Sequence, residues 1–474
     1  MSILKTPAPW FDRTIWGHIA ILVCLGALAY SNSFPGAFHF DDFELMLESP
    51  RVAGEYFDYE LFLNHYGGRP LTLWTFHVNH RWSGDDPATY HAVSLLLHLL
   101  AGVLLYRAAC TLGLGQGAAL LGAAIFLVHP LQSQPVNYVW SRSLLLMSVW
   151  SLVSVLTIKK SRLIGLGAFQ LAVWSRAEAL VLVPLLMVLN RRWWWAPVLL
   201  GCLNLLGVYR GILLEEPSEF GPAYADSASY WWAQPWVFMR YLSFMIWPSG
   251  LSVDHGVEEV GSIEVLVPAF LFLAGVLIFF LFDFHHGLAG QLGVVLGLSV
   301  LMLLPSALIA NPDVLNESRP YLALAGVSLA IAMLLLRAAG SNPVARVVVG
   351  AVILVPLILA TRARNEVWQR DVDLWMDAVE KAPRKSRVHY NLGSALAREG
   401  HTARARQAFL DASRLNPFDD LSYAGLGYCA EMEGLMEVAE RYYLQAVELA
   451  PANSYAQEAA ARVGALRGRN PREH

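Results

Sequence analysis

The chain has little charge for its length. Only 15% of its 474 residues are Asp, Glu, Lys or Arg, whereas 56% are hydrophobic, and soluble domains carry about 25% charged residues. The mean hydropathy over the chain is +0.43. A single core cannot bury so many apolar residues, so many segments must face lipid. The charged residues concentrate after Thr361. The sequence therefore predicts an embedded domain at 1–361 and a soluble domain at 362–474.

Further absences exclude whole classes of function. The four cysteines lie apart and mostly in apolar runs, which predicts neither disulfides nor metal ligands. A net charge of −4 argues against a nucleic-acid partner. The sequence contains no Walker loop, HExxH or GxSxG motif, which argues against a soluble ATPase, a zinc protease or a serine hydrolase.

Apolar runs recur along the embedded domain, and a bilayer needs about 20 residues per helix. The runs 162–175 and 177–190 are short and could also form a hairpin that does not cross fully. We expect an uncleaved first span rather than a signal peptide. The sequence predicts eleven spans, near 15–34, 91–111, 116–131, 143–158, 162–175, 177–190, 194–213, 264–283, 288–309, 320–337 and 346–361.

The basic residues beside the spans predict the orientation. With eleven spans and a cytoplasmic N-terminus, the Lys and Arg residues near 5–13, 159–162 and 191–192 all face the cytoplasm. A twelfth span at 230–247 would move Arg337 and Arg346 outside. We therefore interpret 230–247, which is rich in Trp and Tyr, as a helix that lies in the membrane plane. The soluble domain is then extracytoplasmic.

The soluble domain repeats itself. Pro383, Pro417 and Pro451 are each 34 residues apart. Other pairs at this distance are Leu392 and Leu426, Gly393 and Gly427, Ala405 and Ala439, Phe409 and Tyr443, and Ala412 and Ala446. This period and pattern are those of tetratricopeptide repeats, which form an α-solenoid. The array is either a structural cap or a groove for a protein partner.

Two adjacent carboxylates, Asp41 and Asp42, follow the first span among aromatic residues. Ionisable groups beside the bilayer are costly and often functional, and crowding raises the pKa of one carboxyl so that it can act as a general base. A helix cap or a solvated turn is the alternative interpretation of such a pair.

Other polar side chains fall on the same predicted face of the membrane. They are His65, Tyr66, Arg69, His91, Arg142, Arg176, Glu178, Asp254, His255, Glu317 and Arg319. Fixed arginines suit an anionic lipid-phosphate leaving group, and one base with in-line attack would invert a sugar's anomeric centre. Each arginine taken alone could equally be an interfacial anchor or half of an ion pair.

Short motifs extend this pattern over nearly the whole chain. They are Phe40-Asp41-Asp42, Arg69-Pro70-Leu71, Tyr90-His91, His129-Pro130, Ser141-Arg142, Ser175-Arg176-Ala177-Glu178, Trp247-Pro248 with Asp254, and Glu317 with Arg319 and Tyr321. With the repeats behind them, they make the chain resemble the transmembrane-and-tetratricopeptide-repeat O-mannosyltransferases, GT-C membrane glycosyltransferases, in a bacterial form. The expected fold is an all-α, polytopic GT-C helix bundle followed by the solenoid.

The resemblance implies a polyprenyl-phosphate sugar donor, with mannose as the default, and Ser or Thr hydroxyls of a translocated protein as acceptors. It implies Asp41 as the catalytic base and Asp42 as its partner. We expect donor-phosphate contacts from Arg69, His91, Arg142, Arg176 and Arg319. We expect substrate contacts from His65, Tyr66, Glu178, Asp254, His255 and Glu317.

The chain departs from the family pattern in two places. Ser318 and Pro320 interrupt a run that is commonly Glu-Arg-Tyr, and Ala177 separates Arg176 from Glu178. The sequence does not decide whether a divalent metal takes part. A bacterial inner membrane with the repeats in the periplasm is expected. The alternatives are a transferase of the same fold that acts on a glycan or lipid, and a non-enzymatic scaffold that recruits partners through the repeats.

Overall fold

A computed structural model describes residues 13–47, 49–54, 69–214, 227–256, 287–308 and 313–469. All regular structure in these ranges is helical. The chain divides into two compact units: the first ends at Trp368, and the second begins at Gln369 and also includes a short segment that starts at Ser252.

Long apolar helices make up the first unit, because side chains that are apolar on all faces can pack against both protein and lipid. Its main helices in the described ranges are α1 (Arg13–Tyr30), α2 (Pro70–Ser83), α3 (Pro87–Thr111), α4 (Gln116–Val128), α5 (Arg142–Thr157), α6 (Arg162–Ser175), α7 (Val183–Leu189), α8 (Trp195–Leu214), α9 (Ser227–Ile246), α10 (Gly287–Leu308), α11 (Ala323–Ala338) and α12 (Pro343–Val367).

Five helical stretches in the described ranges are long and apolar enough to cross a membrane, namely α1, α3, α5 with the turn before it, α10 and α12. A sixth forms if α4 counts together with residues Pro130–Asn137, which follow it at a bend of 52°. This makes the protein an integral, multi-pass membrane protein. The described ranges do not show eleven spans, because α6, α7 and α11 are shorter than a bilayer requires, and the predicted span 264–283 lies outside the described residues.

One end of the bundle, which we call the site end, collects the C-terminal ends of α1, α4, α6 and α12 and the N-terminal ends of α3 and α5. Side chains there bind main-chain carbonyls of neighbouring helices. The bonds are Asn365 Nδ2 to Ala29 O (3.0 Å), Thr361 Oγ1 to Val128 O (2.7 Å), Arg142 Nη2 to Tyr90 O (3.2 Å) and Thr72 Oγ1 to Ser175 O (3.1 Å). Several of the loops that the sequence singled out therefore meet at one end.

Helix α9 makes its hydrogen bonds to α10 and the turn after it at this same end. The hydroxyl of Tyr230 donates to Ser306 O, and Trp231 Nε1 donates to Leu308 O at 3.3 Å, both in the last turn of α10. Tyr241, three turns further along α9, donates to Asn316 O at 3.0 Å. Both halves of α9 thus bind the site end, and its position in the membrane plane stays a prediction.

The second unit is a stack of antiparallel helix pairs. Its helices are α13 (Asp371–Lys381), α14 (Ser386–Arg398), α15 (Thr402–Leu415), α16 (Asp420–Met432), α17 (Met436–Leu449) and α18 (Ser454–Arg469). Large residues from the second helix of each pair pack on glycines of the first. A Cβ on Gly393 would lie 2.7 Å from the Phe409 ring, and one on Gly427 would lie 2.7 Å from the Tyr443 ring. The 34-residue pattern therefore records helix–helix contacts.

We predict that Gly393→Ala destabilises the repeats by about 1–3 kcal/mol, because the added methyl overlaps the buried Phe409 ring. Hydrogen exchange of the full-length protein should show faster exchange in α14 and α15. Gln407→Ala, at an exposed position of α15, is the matched control and should leave exchange within error. Equal protection in wild type and Gly393→Ala would contradict the packing described.

Candidate functional site

The carboxylate pair lies in the segment between α1 and α2, and its two members have opposite environments. Asp42 is fully buried. Its Oδ2 accepts the His39 N–H at 3.0 Å, and its Oδ1 accepts the Trp140 N–H at 2.7 Å. Burial raises the pKa of Asp42 to about 7, although both N–H donors act in the opposite direction. Asp42 therefore clamps this segment to the turn that precedes α5.

Asp41, in contrast, is exposed at the surface. Its carboxylate accepts a hydrogen bond from the Tyr138 hydroxyl. Desolvation by the surrounding protein raises the pKa of the Asp41 carboxyl above its usual value, and Asp313 adds to this, whereas Tyr138 and the charge of Arg69 lower it. A carboxylate that is accessible yet partly desolvated has the properties of a general base.

The backbone around the pair is tightly constrained. Phe40 has a φ of 48°, a left-handed conformation that is rare for a bulky residue and marks a strained position. Its ring packs edge-on against Tyr138 at 5.4 Å. The His39 ring bonds the Trp368 carbonyl at 2.8 Å. The segment is thereby held against both the turn before α5 and the end of α12.

Arg69 lies just before α2 and places its guanidinium over the Trp140 ring at 5.6 Å. Among the described residues, this guanidinium donates no hydrogen bond and forms no ion pair. Burial and the positive charge of Arg176 lower the pKa of Arg69 to about 10, so it stays charged at neutral pH. A charged, planar guanidinium of this kind suits an anionic group.

Arg176 and Glu178 form an ion pair in the break between α6 and the 3₁₀ turn Ala177–Leu182, with Nε to Oε1 at 2.6 Å. Arg176 also reaches Ser143 Oγ at 3.4 Å. The charges of Arg176 and Glu178 both act on Arg69, and Arg69 acts on Asp41. The charges of Arg69 and Arg176 are thus balanced by Glu178 and Asp41, and the two planar guanidiniums are the groups of this cluster that suit an anionic ligand.

Of three further predicted donor-phosphate residues, two bind other groups and one is buried. Arg142 is fully buried and donates to Asn79 Oδ1 at 2.9 Å, with its guanidinium 4.5 Å from the Phe76 ring. His91 is buried against the Gly36 backbone. Arg319 binds Val314 O at 3.3 Å. These side chains stabilise helices and turns at the site end.

The predicted substrate residues also separate. Glu317 is buried at the site end. Asp254 and His255 belong to the second unit, where the Asp254 carboxylate binds Lys385 at 2.5 Å and Arg387 at 2.7 Å. The two cations hold the pKa of Asp254 below its usual range despite burial. His65 and Tyr66 lie outside the described residues.

Tyr138 is the main residue that sequence reasoning missed. It follows Asn137, which lies in the loop between the third and fourth predicted spans, but nothing in the sequence marks its hydroxyl as a partner of Asp41. Among the described residues, no group of three His, Cys, Asp or Glu side chains is arranged to hold a metal ion.

An apolar cavity of about 210 Å³ opens within the first unit. It lies between α3, α5, α7, α10 and α11, and its lining includes Leu105, Leu152, Leu182, Leu189 and Met302. Leu182 ends the 3₁₀ turn that begins directly after Arg176. The polar site and the apolar cavity are therefore joined by one short stretch of chain.

The structure predicts different effects of the same substitution at the two acids. Asp42→Asn should lower the apparent melting temperature by several degrees, a loss of about 1–3 kcal/mol, because the amide group cannot accept both buried N–H bonds. Asp41→Asn should melt like the wild type, since its side chain is exposed. Thermal unfolding in detergent measures both, and equal melting temperatures for the two variants would contradict the clamp.

Residues 386–419 and 422–453 match the tetratricopeptide repeat model. A Caenorhabditis elegans protein, Protein O-mannosyl-transferase F38B6.6, is 24% identical over 446 residues, which cover 84% of this chain and 63% of that protein. Protein O-mannosyl-transferase TMTC3 of Mus musculus is 29% identical over 31% of this chain.

Protein O-mannosyl-transferase TMTC1 of Homo sapiens is 30% identical over 31% of the chain. The matched regions cover 17% of the mouse protein and 18% of the human one, so this chain spans less than two thirds of the length of these relatives. Over most of its length, the chain is a distant homologue of the transmembrane-and-tetratricopeptide-repeat protein O-mannosyltransferases.

Proposed function

We propose that the protein transfers a hexose, with mannose as the default, from a polyprenyl-phosphate donor to Ser or Thr hydroxyls of an extracytoplasmic protein, with inversion at the anomeric carbon. The observation that supports this most is the pairing of an accessible, partly desolvated carboxylate, Asp41, with the electrostatically coupled guanidiniums of Arg69 and Arg176. The relatives named above carry the name protein O-mannosyl-transferase.

In this mechanism, Asp41 accepts the proton of the acceptor hydroxyl as its oxygen attacks the anomeric carbon. The bond from that carbon to the phosphate oxygen breaks, and the polyprenyl phosphate leaves with the electron pair. Arg69 and Arg176 stabilise the charge that develops on the phosphate. Glu178 holds Arg176 in place at 2.6 Å.

The apolar cavity supports a lipid-linked donor. It is lined almost wholly by aliphatic side chains, and the turn that carries Arg176 and Glu178 runs directly into it at Leu182. A phosphate held at the arginines would leave its isoprenoid chain beside this cavity. An aliphatic chain there removes apolar surface from water at about 25 cal/mol per Å².

The distribution of charge supports an outward-facing site, and we propose a bacterial inner membrane as its location. Lys159, Lys160, Arg191 and Arg192 are exposed and follow the C-terminal ends of α5 and α7, away from the site end. Basic residues beside spans favour the cytoplasmic side. The site end would then face the periplasm, and the repeats would meet the translocated acceptor there.

We predict that Asp41→Asn lowers transfer from polyprenyl-phosphate mannose to a Ser/Thr peptide by about 10²–10⁴-fold in nanodiscs, because the base is lost. Asp85→Asn, an equally conservative change at a largely exposed acid just before α3, is the matched control and should keep full activity. Wild-type protein that transfers no sugar, together with unchanged hexose on secreted proteins of a deletion strain, would exclude the proposed function in favour of a scaffold.

Arg69→Lys should raise the KM for the donor about tenfold with little change in melting temperature, because lysine keeps the charge but lacks the planar fork that fits phosphate. Arg142→Lys provides the contrast. It should lower the melting temperature, since the Arg142 guanidinium is fully buried and bonds Asn79 and Tyr90. Steady-state kinetics and thermal unfolding of both variants distinguish a residue that binds the donor from one that stabilises the fold. An unchanged donor KM in Arg69→Lys would contradict the assignment of Arg69 to the donor phosphate.

A further inference from the structure

Tyr138 lies between the carboxylate pair and the end of α12. Its hydroxyl donates to the Asp41 carboxylate, and its oxygen accepts the Asp41 backbone N–H. Its ring packs edge-on against Phe40 at 5.4 Å and stacks on Trp368 at 6.4 Å. The side chain is thus held on both faces while its hydroxyl reaches a single carboxyl group.

The backbone that bears Tyr138 is held by the neighbouring acid. The Trp140 N–H, two residues further along the same turn, donates to Asp42 at 2.7 Å. Adjacent acids of one segment therefore bind nearby residues of one turn. Because Asp42 is buried and holds the backbone near Tyr138, it helps to place the Tyr138 hydroxyl beside Asp41.

We propose that Tyr138 is the positioning residue of the Asp41 base. Its hydroxyl binds one carboxylate oxygen and turns the other towards the acceptor hydroxyl. This inference rests on the proposed function, in which Asp41 accepts the acceptor's proton. A hydrogen bond from a packed side chain orients the reactive group before the reaction, so less conformational entropy is lost in reaching the transition state.

The hydrogen bond also affects when Asp41 is ionised. Arg69 from the start of α2, Asp313 from the turn before α11, and the neighbouring Asp42 all act on Asp41 through their charges. The Tyr138 hydroxyl favours the ionised form, since it donates to it. Removing the hydroxyl should therefore raise the pKa of Asp41, and less of the base would be ionised at acidic pH.

Tyr138→Phe is the decisive variant, because it keeps the ring between Phe40 and Trp368 and removes only the hydroxyl. We expect a kcat about tenfold lower at neutral pH, the effect of one lost hydrogen bond to a charged group. The acid limb of the pH–rate profile should move to higher pH, so the deficit should shrink as the pH rises. The acceptor KM should change little.

Tyr106→Phe is the matched control. It removes a tyrosine hydroxyl that bonds His18 at 2.8 Å near the other end of α3, and its pH profile should match the wild type. A deficit in Tyr138→Phe that is equal at every pH, or full activity at every pH, would overturn the positioning role. Inactive wild-type protein would instead count against the proposed function, so the two failures are distinguishable.

Discussion

The architecture of the site depends on one buried carboxylate. Asp42 joins two segments that are about 100 residues apart in the chain, because its two oxygens accept the His39 and Trp140 N–H groups. Burying a carboxylate is costly unless it is well hydrogen-bonded, and its raised pKa shows that burial is only partly offset. In return the clamp fixes the backbone on either side of Asp41. The unusual φ of Phe40 and the approach of Tyr138 both follow from this constraint.

The clamp acts within a bundle whose two ends differ in chemistry. At the site end, side chains such as Asn365, Thr361 and Thr72 bind main-chain carbonyls of neighbouring helices. Such bonds fix the helix ends relative to one another, whereas apolar contacts with lipid do not favour one arrangement of the helices. Asp41, Arg69 and Arg176 therefore lie at an end of the bundle that these hydrogen bonds hold in place.

Sequence reasoning predicted features that depend on local pattern. The 34-residue period, the all-helical fold, the break between α6 and the 3₁₀ turn at Arg176, and a helix at 230–247 all arise from short-range periodicity, and the structure contains each of them. The number of spans could not be predicted from the sequence in the same way, because an apolar run does not fix where a helix ends. Five or six stretches in the described ranges reach spanning length.

The division of labour within the site could not be predicted, because it depends on contacts between distant parts of the chain. Asp41 and Asp42 are adjacent, yet only the fold decides which of them meets backbone N–H groups. Arg142 resembled Arg69 in sequence, but the packing of α2 on α3 buried it. Asp254 met its partners Lys385 and Arg387 some 130 residues away.

The environment of Asp254 bears on how the repeats act. Its carboxylate is already neutralised by two cations of the second unit, so a role as a direct sugar ligand would require both ion pairs to break. The segment that begins at Ser252 follows α9, and Gln369 follows Trp368, whose carbonyl bonds His39 at the site end. The chain therefore passes into the repeat unit twice along its sequence, once after α9 and once after α12. The Asp254 ion pairs to Lys385 and Arg387 fasten the first of these segments to the repeats, which gives Asp254 a structural role within the second unit.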